Sequence, residues 1–317
     1  MKRLCLHIAA LLLTASVVGQ DRAFVVEATA AAFAKTSSLV ADQDAEARLL
    51  RRDGQLLIEA EVGGVSGYLV LDTGAPSLIL SNTHFAHGPA SEILTGATGS
   101  LAFTRATIDT LRVAGLRQLN VPAMVAELRF DTDNLSLPVL GLMGYAQLKD
   151  FPAVVSLRSN TFSFVDEIRD PGTTAQVLAE AETPNLRTGA YSFEMRGHLP
   201  VLTAQVGEES LEFAFDTGSG VNIIDASYFE QLSADFRGRP AKRLLAGIDA
   251  HPTEVSCALV RLTLLEDEAH RDRPFLFSNL AALQDPELGL SGILSPAFWR
   301  ASEFVVDYAN ATVTIVE

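Results

Sequence analysis

Leu69-Val70-Leu71-Asp72-Thr73-Gly74-Ala75 ends an apolar run on a carboxylate and then turns at once. The chain does this a second time, at Phe213-Ala214-Phe215-Asp216-Thr217-Gly218-Ser219. An isolated aspartate after a strand is an ordinary turn residue that bonds to its own backbone. Two at matched places need another explanation. With the sequence laid over itself at the offset that superposes the two Asp-Thr-Gly triplets, Leu56–Gly63 falls on Pro200–Gly207 without a gap up to the triplet. Each copy reads as a strand, a short turn and a second strand. The turns are Gly63-Gly64-Val65-Ser66-Gly67 and Gly207-Glu208-Glu209-Ser210, both with hairpin chemistry.

The ends of the copies match at a slightly larger offset. Gly141-Leu142-Met143 falls on Gly292-Ile293-Leu294, Val154–Leu157 on Val305–Tyr308, and Thr161–Val165 on Thr312–Val316. A period this long describes two similar lobes rather than a solenoid. The segments are short, β-branched or aromatic, and bounded by turn residues, which predicts strands. Short helices are expected at Ser227–Leu232 and Pro296–Ala301. A longer one is expected over Ala28–Arg52, which is rich in Ala, Glu and Arg. The expected fold is therefore dominated by β-structure: two similar barrel-like lobes with a few short helices.

The chain has 317 residues, nearly half of them apolar, and a formal charge of −15. That is enough for two cores. The acidity argues against nucleic acid and anionic membranes as partners. Met1-Lys2-Arg3 followed by the apolar stretch Leu4–Val18 and the small Gly19 has the pattern of a secretory signal peptide over residues 1–19, with an uncleaved anchor as the alternative. With Cys5 in that leader, Cys257 is left alone and no intrachain disulfide can form. This favours a bacterial periplasmic, envelope or secreted protein over an animal secreted one, with no stable membrane span once the leader is removed. Residues 20–52 are expected to form an N-terminal extension, either a packed helix or a pro-segment over the cleft. The first lobe is placed at 53–168, a linker carrying Pro171, Gly172 and Pro184 at 169–188, and the second lobe at 189–317.

The two triplets, together with the later apolar-apolar-Gly elements Val139-Leu140-Gly141 and Leu290-Ser291-Gly292, resemble the aspartic peptidase superfamily in its two-lobed, pepsin-like arrangement. The similarity runs over most of residues 53–317. It implies an acid protease fold in which each lobe supplies one aspartate, Asp72 and Asp216, to a cleft that hydrolyses an extended peptide without metal or organic cofactor, acting as a monomer. Peptide hydrolysis of this kind needs a base for the water and an acid for the carbonyl oxygen or leaving nitrogen. Two carboxylates held together share one proton and supply both. Gly74 and Gly218 would allow the tight turn and present N–H groups to the carboxylates. The resemblance implies that Thr73 and Thr217 cross to the opposite loop. Ser219 has a hydroxyl that could serve Asp216, whereas Ala75 has none for Asp72. This predicts Asp72 as the more readily protonated partner.

The substrate-covering hairpin of the first lobe is expected around Gly96, Thr98, Gly99 and Ser100. The family's flap tyrosine is missing there, and Ser295 stands where the first copy has Gly144. The alternative function is a binding module that keeps the fold without turnover; a narrow processing peptidase is a third reading. Other motifs have bland readings. His84-Phe85-Ala86-His87 has a metal-like spacing but nothing to complete a set, and Asp131-Thr132-Asp133-Asn134 lacks the Gly and late Glu of a calcium loop. Both read as surface turns, so no metal site is expected.

Overall fold

The computed structural model describes residues 46–316 apart from 87, 91, 97–98, 131–134, 167–187, 247–251, 266–269, 281–287 and 300, together with short strands at His7–Ile8, Leu13–Thr14 and Ser37–Leu39. Nearly every described element is a strand. The first lobe is built on Gln55–Val62, Val65–Leu71, Leu78–Ser81, Gly99–Val113, Leu116–Ala126 and Val139–Met143. Its counterpart in the second lobe comprises Leu199–Val206, Glu209–Phe215, Asn222–Asp225, Pro252–Leu264, Arg271–Ser278 and Gly292–Leu294.

The same local logic repeats in both lobes. The strand ending at the triplet pairs in parallel with the apolar-apolar-Gly strand: Leu69 with Gly141 and Leu71 with Met143, then Phe213 with Gly292 and Phe215 with Leu294. That second strand also lies antiparallel to the one following the triplet, at Leu142 and Ile79 and at Ile223 and Ile293. The backbones pass so closely that a Cβ on Gly141 would strike the Ile79 carbonyl oxygen, and one on Gly292 the Ile223 carbonyl oxygen. This close approach explains the glycine in each copy. Continuous burial of Leu69, Val70 and Leu71, and of Phe213, Ala214 and Phe215, follows from strands covered on both faces.

A six-stranded sheet joins the lobes. Its order is Thr188–Ser192, Thr312–Val316, Glu303–Asp307, Ala153–Ser156, Thr161–Phe164 and Glu46–Arg52. At its centre the two copies meet antiparallel, Ala153 opposite Val306 and Ser156 opposite Glu303. Phe162, Phe304 and Val313 are buried there, and the core continues from one lobe into the other.

Two expectations are corrected. Glu46–Arg52 is a strand, not the end of a helix, and it pairs with both Thr161–Ser163 and Gln55–Ile58. Its burial alternates: Glu46 and Arg48 are exposed, Ala47 and Leu49 buried. The period of two matches the sheet, and tertiary pairing overrides the helical propensity of Ala, Glu and Arg. The first lobe's sheet therefore begins at Glu46, ahead of the boundary expected at 53, and Ser37–Leu39 lies antiparallel to Leu116–Gln118. The expected helices also shrink. Ser227–Leu232 overlaps a 3-10 turn at Ala226–Tyr228, capped by Asp225, and Pro296–Ala301 holds one at Pro296–Phe298; the one α-helix among the described residues, the four-residue Tyr145–Leu148, was not anticipated. Residues 1–19, apart from the two short strands there, and the linker expected at 169–187 fall outside the described residues.

Candidate active site

Asp72 and Asp216 come together between the lobes, 1 % and 0 % exposed. Each is placed by its parallel neighbour: Asp72 N–H donates to the Met143 carbonyl at 3.0 Å and Asp216 N–H to that of Leu294 at 2.9 Å. Each carboxylate then receives the N–H of the glycine two residues on, Gly74 to Asp72 Oδ1 at 2.9 Å and Gly218 to Asp216 Oδ1 at 2.8 Å. The glycines also face the opposite carboxyl. A Cβ on Gly218 would lie 2.5 Å from Asp72 Cγ, and one on Gly74 2.8 Å from Asp216 Cγ. No other residue fits at either position while the two carboxyls stay in place.

The threonines cross between the loops. Thr73 Oγ1 donates to the Phe215 carbonyl at 2.8 Å and accepts the Thr217 N–H at 3.0 Å. Thr217 Oγ1 donates to the Leu71 carbonyl at 2.9 Å and accepts the Thr73 N–H at 3.0 Å. Four buried bonds, two from each lobe, fix the turns against each other. Each hydroxyl donates in one bond and accepts in another, which only Ser or Thr can do here.

The outer oxygens, Oδ2 of both aspartates, are buried and receive no N–H or O–H from the rest of the protein. The two carboxyls lie within hydrogen-bonding reach of each other. Two like charges so close and so buried are unfavourable, and one proton shared by the pair relieves them. Burial raises the pKa of both groups. Burial, and then the neighbouring Asp216 charge, push Asp72 well above the usual carboxylate range; for Asp216 the bond with the Asp72 carboxyl and then backbone N–H groups oppose the effect of burial. The hydroxyl expected to serve Asp216 does not do so. Ser219 Oγ donates to the Val221 carbonyl at 2.6 Å and not to Asp216. Asp216 is served instead by the Asp72 carboxyl and by the N–H groups of Gly218, Ser219 and Gly74.

Several neighbours had no signal in the sequence. His198 is buried, and its Nε2 lies 3.0 Å from the Gly74 carbonyl oxygen across the lobe boundary. Tyr308 meets Tyr145 edge-on at 5.1 Å, and burial holds its hydroxyl neutral, aided by the charges of Tyr145 and the dyad. Asn222 explains Ser295. In the first lobe, Gly144 has to be glycine because a Cβ would strike the Ala75 carbonyl oxygen. In the second, Ser295 is tied to the Asn222 side chain, whose Oδ1 accepts from Ser295 N–H at 3.0 Å and Ser295 Oγ at 3.2 Å.

The hairpin expected over the site is present. Glu92–Gly96 pairs with Gly99–Val113, Gly96 opposite Gly99 and Thr95 opposite Ser100. Thr98 lies outside the described residues. Leu94, Leu101 and Phe103 of this hairpin pack in one cluster with Ala75, so its base is anchored beside the first catalytic turn. A groove of about 760 Å³ on the first lobe, lined by Glu46, Arg48, Glu59 and Arg112 among others, includes no dyad residue. Among the described residues no group of His, Cys, Asp or Glu side chains has the arrangement of a metal site, and no helix is long and apolar enough to cross a membrane.

No family model matches the chain, and no curated protein matches it. Among solved structures it is similar to the aspartic proteinase from Irpex lacteus, at 13% identity over 85% of this chain and 96% of that chain, with a TM-score of 0.49. Among the described residues the fold is almost entirely β, in two large sheets.

Proposed function

We propose that the chain is an aspartic endopeptidase. Asp72 and Asp216 hold one proton between them; the ionised member takes a proton from water, and the protonated member gives its proton to the peptide carbonyl oxygen as the water adds. The tetrahedral species then collapses with proton transfer to the leaving nitrogen, which restores the shared proton. One observation carries the reading: two buried carboxyls from opposite lobes lie within reach of each other, each held by the N–H of its own glycine and each with a second oxygen that no fixed donor among the described residues serves. An extended peptide would bind by main-chain hydrogen bonds beneath the Glu92–Val113 hairpin, with Gly96, Thr98, Gly99 and Ser100 at its tip. The reading carries with it an exported, bacterial envelope or secreted protein acting as a monomer.

Because the carboxyls are buried, the substrate must displace whatever covers them. Residues before Glu46 are the segment to remove; Glu46–Arg52 belongs to the sheet that joins the lobes and must stay. The test is digestion of a mixed peptide library from pH 3 to 8 by the full chain and by a chain beginning just before Glu46. Internal cleavage by at least one of them, with amino-acid preferences on either side of the scissile bond, is expected. Peptide binding by both with no cleavage at any pH would replace the proposal with a binding module of the same fold.

A further inference from the structure

The hairpins that open the two lobes reach across to the opposite catalytic turn, but they do so with different chemistry. In the first lobe the contact is made by Gly54, at positive φ, whose Cβ would strike Gly220 just beyond the second triplet. At the offset that superposes the triplets, the second lobe has His198, between Glu194–Arg196 and Leu199–Val206. Its ring is buried, and Nε2 stands 3.0 Å from the Gly74 carbonyl oxygen. A carbonyl oxygen only accepts, so Nε2 carries the hydrogen.

That carbonyl belongs to the peptide unit whose N–H, on Ala75, closes the turn on the Asp72 main-chain carbonyl at 3.1 Å and also lowers the pKa of the Asp72 carboxyl. A donor on the oxygen of a peptide polarises it and strengthens donation by its N–H. The second lobe has no such arrangement, because a glycine sits where His198 would need a counterpart. Building on the peptidase reading above, we propose that His198 is a positioning residue for the dyad: it ties the second lobe to the first catalytic turn and aims the Gly74–Ala75 peptide at Asp72.

The ring is neutral over most of the pH range, because burial lowers its pKa from 6.5 to about 4 while the Gly74 carbonyl opposes that shift only in part. Asp72 lies two residues before the Gly74 that His198 contacts, and Arg196 two residues before His198 on its own hairpin. The Arg196 guanidinium is committed elsewhere, to Glu194, Glu212 and the Leu288 carbonyl. The unfolded chain takes up the imidazole proton at about pH 6.5 and the folded one at about pH 4. Stability from the neutral ring is therefore complete above pH 6.5 and is lost as pH falls toward 4. A peptidase that uses this residue has an acid limit built into its own support.

The test compares wild type with His198→Gln, whose amide N–H reaches as far as Nε2 but never charges, and His198→Phe, which keeps a ring and lacks the donor. On one peptide chosen from the library, H198F is expected to lose about tenfold or more in kcat, with KM changed less than about twofold. Its acidic limb should move to higher pH, since Asp72 loses part of its support. H198Q should recover most of the kcat. Thermal melts need no activity: the wild-type melting temperature should fall between pH 6.5 and 4 beyond any fall in H198Q over the same interval. An H198F enzyme with unchanged kcat and acidic limb, or an H198Q enzyme as impaired as H198F, would overturn the proposal. So would identical pH–melt curves for wild type and H198Q. If no chain cleaves peptides, or cleavage survives Asp72→Asn and Asp216→Asn, the peptidase reading fails, and the melts alone decide whether His198 supports the first catalytic turn.

Discussion

Replacing either Asp72 or Asp216 by Asn is expected to lower kcat by about a thousandfold or more while leaving the protein folded. The asparagine keeps the shape of the side chain, and its Oδ1 still accepts the N–H of Gly74 or Gly218, so the turn that holds it survives. What is lost is the proton-accepting oxygen. The remaining aspartate, freed from its charged neighbour, ionises more easily and cannot serve as base and acid together. Removing one member should therefore cost nearly as much as removing both, because the two work as one unit. The same substitutions should raise stability near neutral pH. Both native carboxyls have raised pKa values. The folded state thus binds protons more readily than the unfolded one, and stability falls as pH rises from about 3.8 through the raised values. An Asn variant keeps only the part of that loss that its remaining buried aspartate carries. Steady-state cleavage and thermal melts at pH 7 check the two halves of the expectation. A variant that cleaves within about tenfold of wild type would remove the carboxyls from the mechanism.

Thr73→Val is expected to destabilise the protein by about 2–5 kcal/mol. Valine fills the same volume but neither donates nor accepts. The Phe215 carbonyl and the Thr217 N–H, bonded now at 2.8 and 3.0 Å, would be left buried and unpaired. Each orphaned group costs about 1–3 kcal/mol, against a total stability of about 5–15 kcal/mol. The loss falls at the contact between the lobes, so cleavage should fall along with it as the carboxyls separate. Thr73→Ser keeps the hydroxyl and should recover most of both. Urea unfolding of the three proteins measures the effect. A Thr73→Val midpoint within about 0.5 kcal/mol of wild type would show that the crossed hydroxyls are not what holds the turns.

The parts that were readable in advance are those in which chemistry restricts residue type and the duplication repeats the restriction. The aspartates, their glycines, the crossing threonines, and Gly141 and Gly292 all sit where a second residue type would clash or leave a buried group unpaired. The sequence shows each of them twice. His198 appears once, because the first copy solves the same contact with Gly54. A lone histidine after Arg196-Gly197 carries no pattern, and its partner is a carbonyl in the other lobe. Asn222 is hidden for a related reason: it compensates for Ser295, and a compensation shows only once both residues are placed. The misreading of Glu46–Arg52 is of another kind. Glu-Ala-Arg-Leu-Leu-Arg suits a helix by local preference, and the decisive fact is the pairing with Thr161–Ser163, more than a hundred residues away. Ser219 marks the limit of arguing from a side chain's capacity, since its hydroxyl is taken by the Val221 carbonyl two residues on.

The central claim is that Asp72 and Asp216 form a single titrating unit across the lobe boundary. The most direct measurement is NMR of the carboxyl carbons in protein labelled with ¹³C-aspartate, followed over pH in wild type and in Asp216→Asn. The account predicts that the two wild-type carboxyls titrate together, both above the ordinary aspartate value. It further predicts that Asp72 moves down in the variant but stays above that value, because the neighbouring charge is gone while burial remains. Two independent titrations near the ordinary value, with Asp72 unmoved by the loss of Asp216, would contradict it.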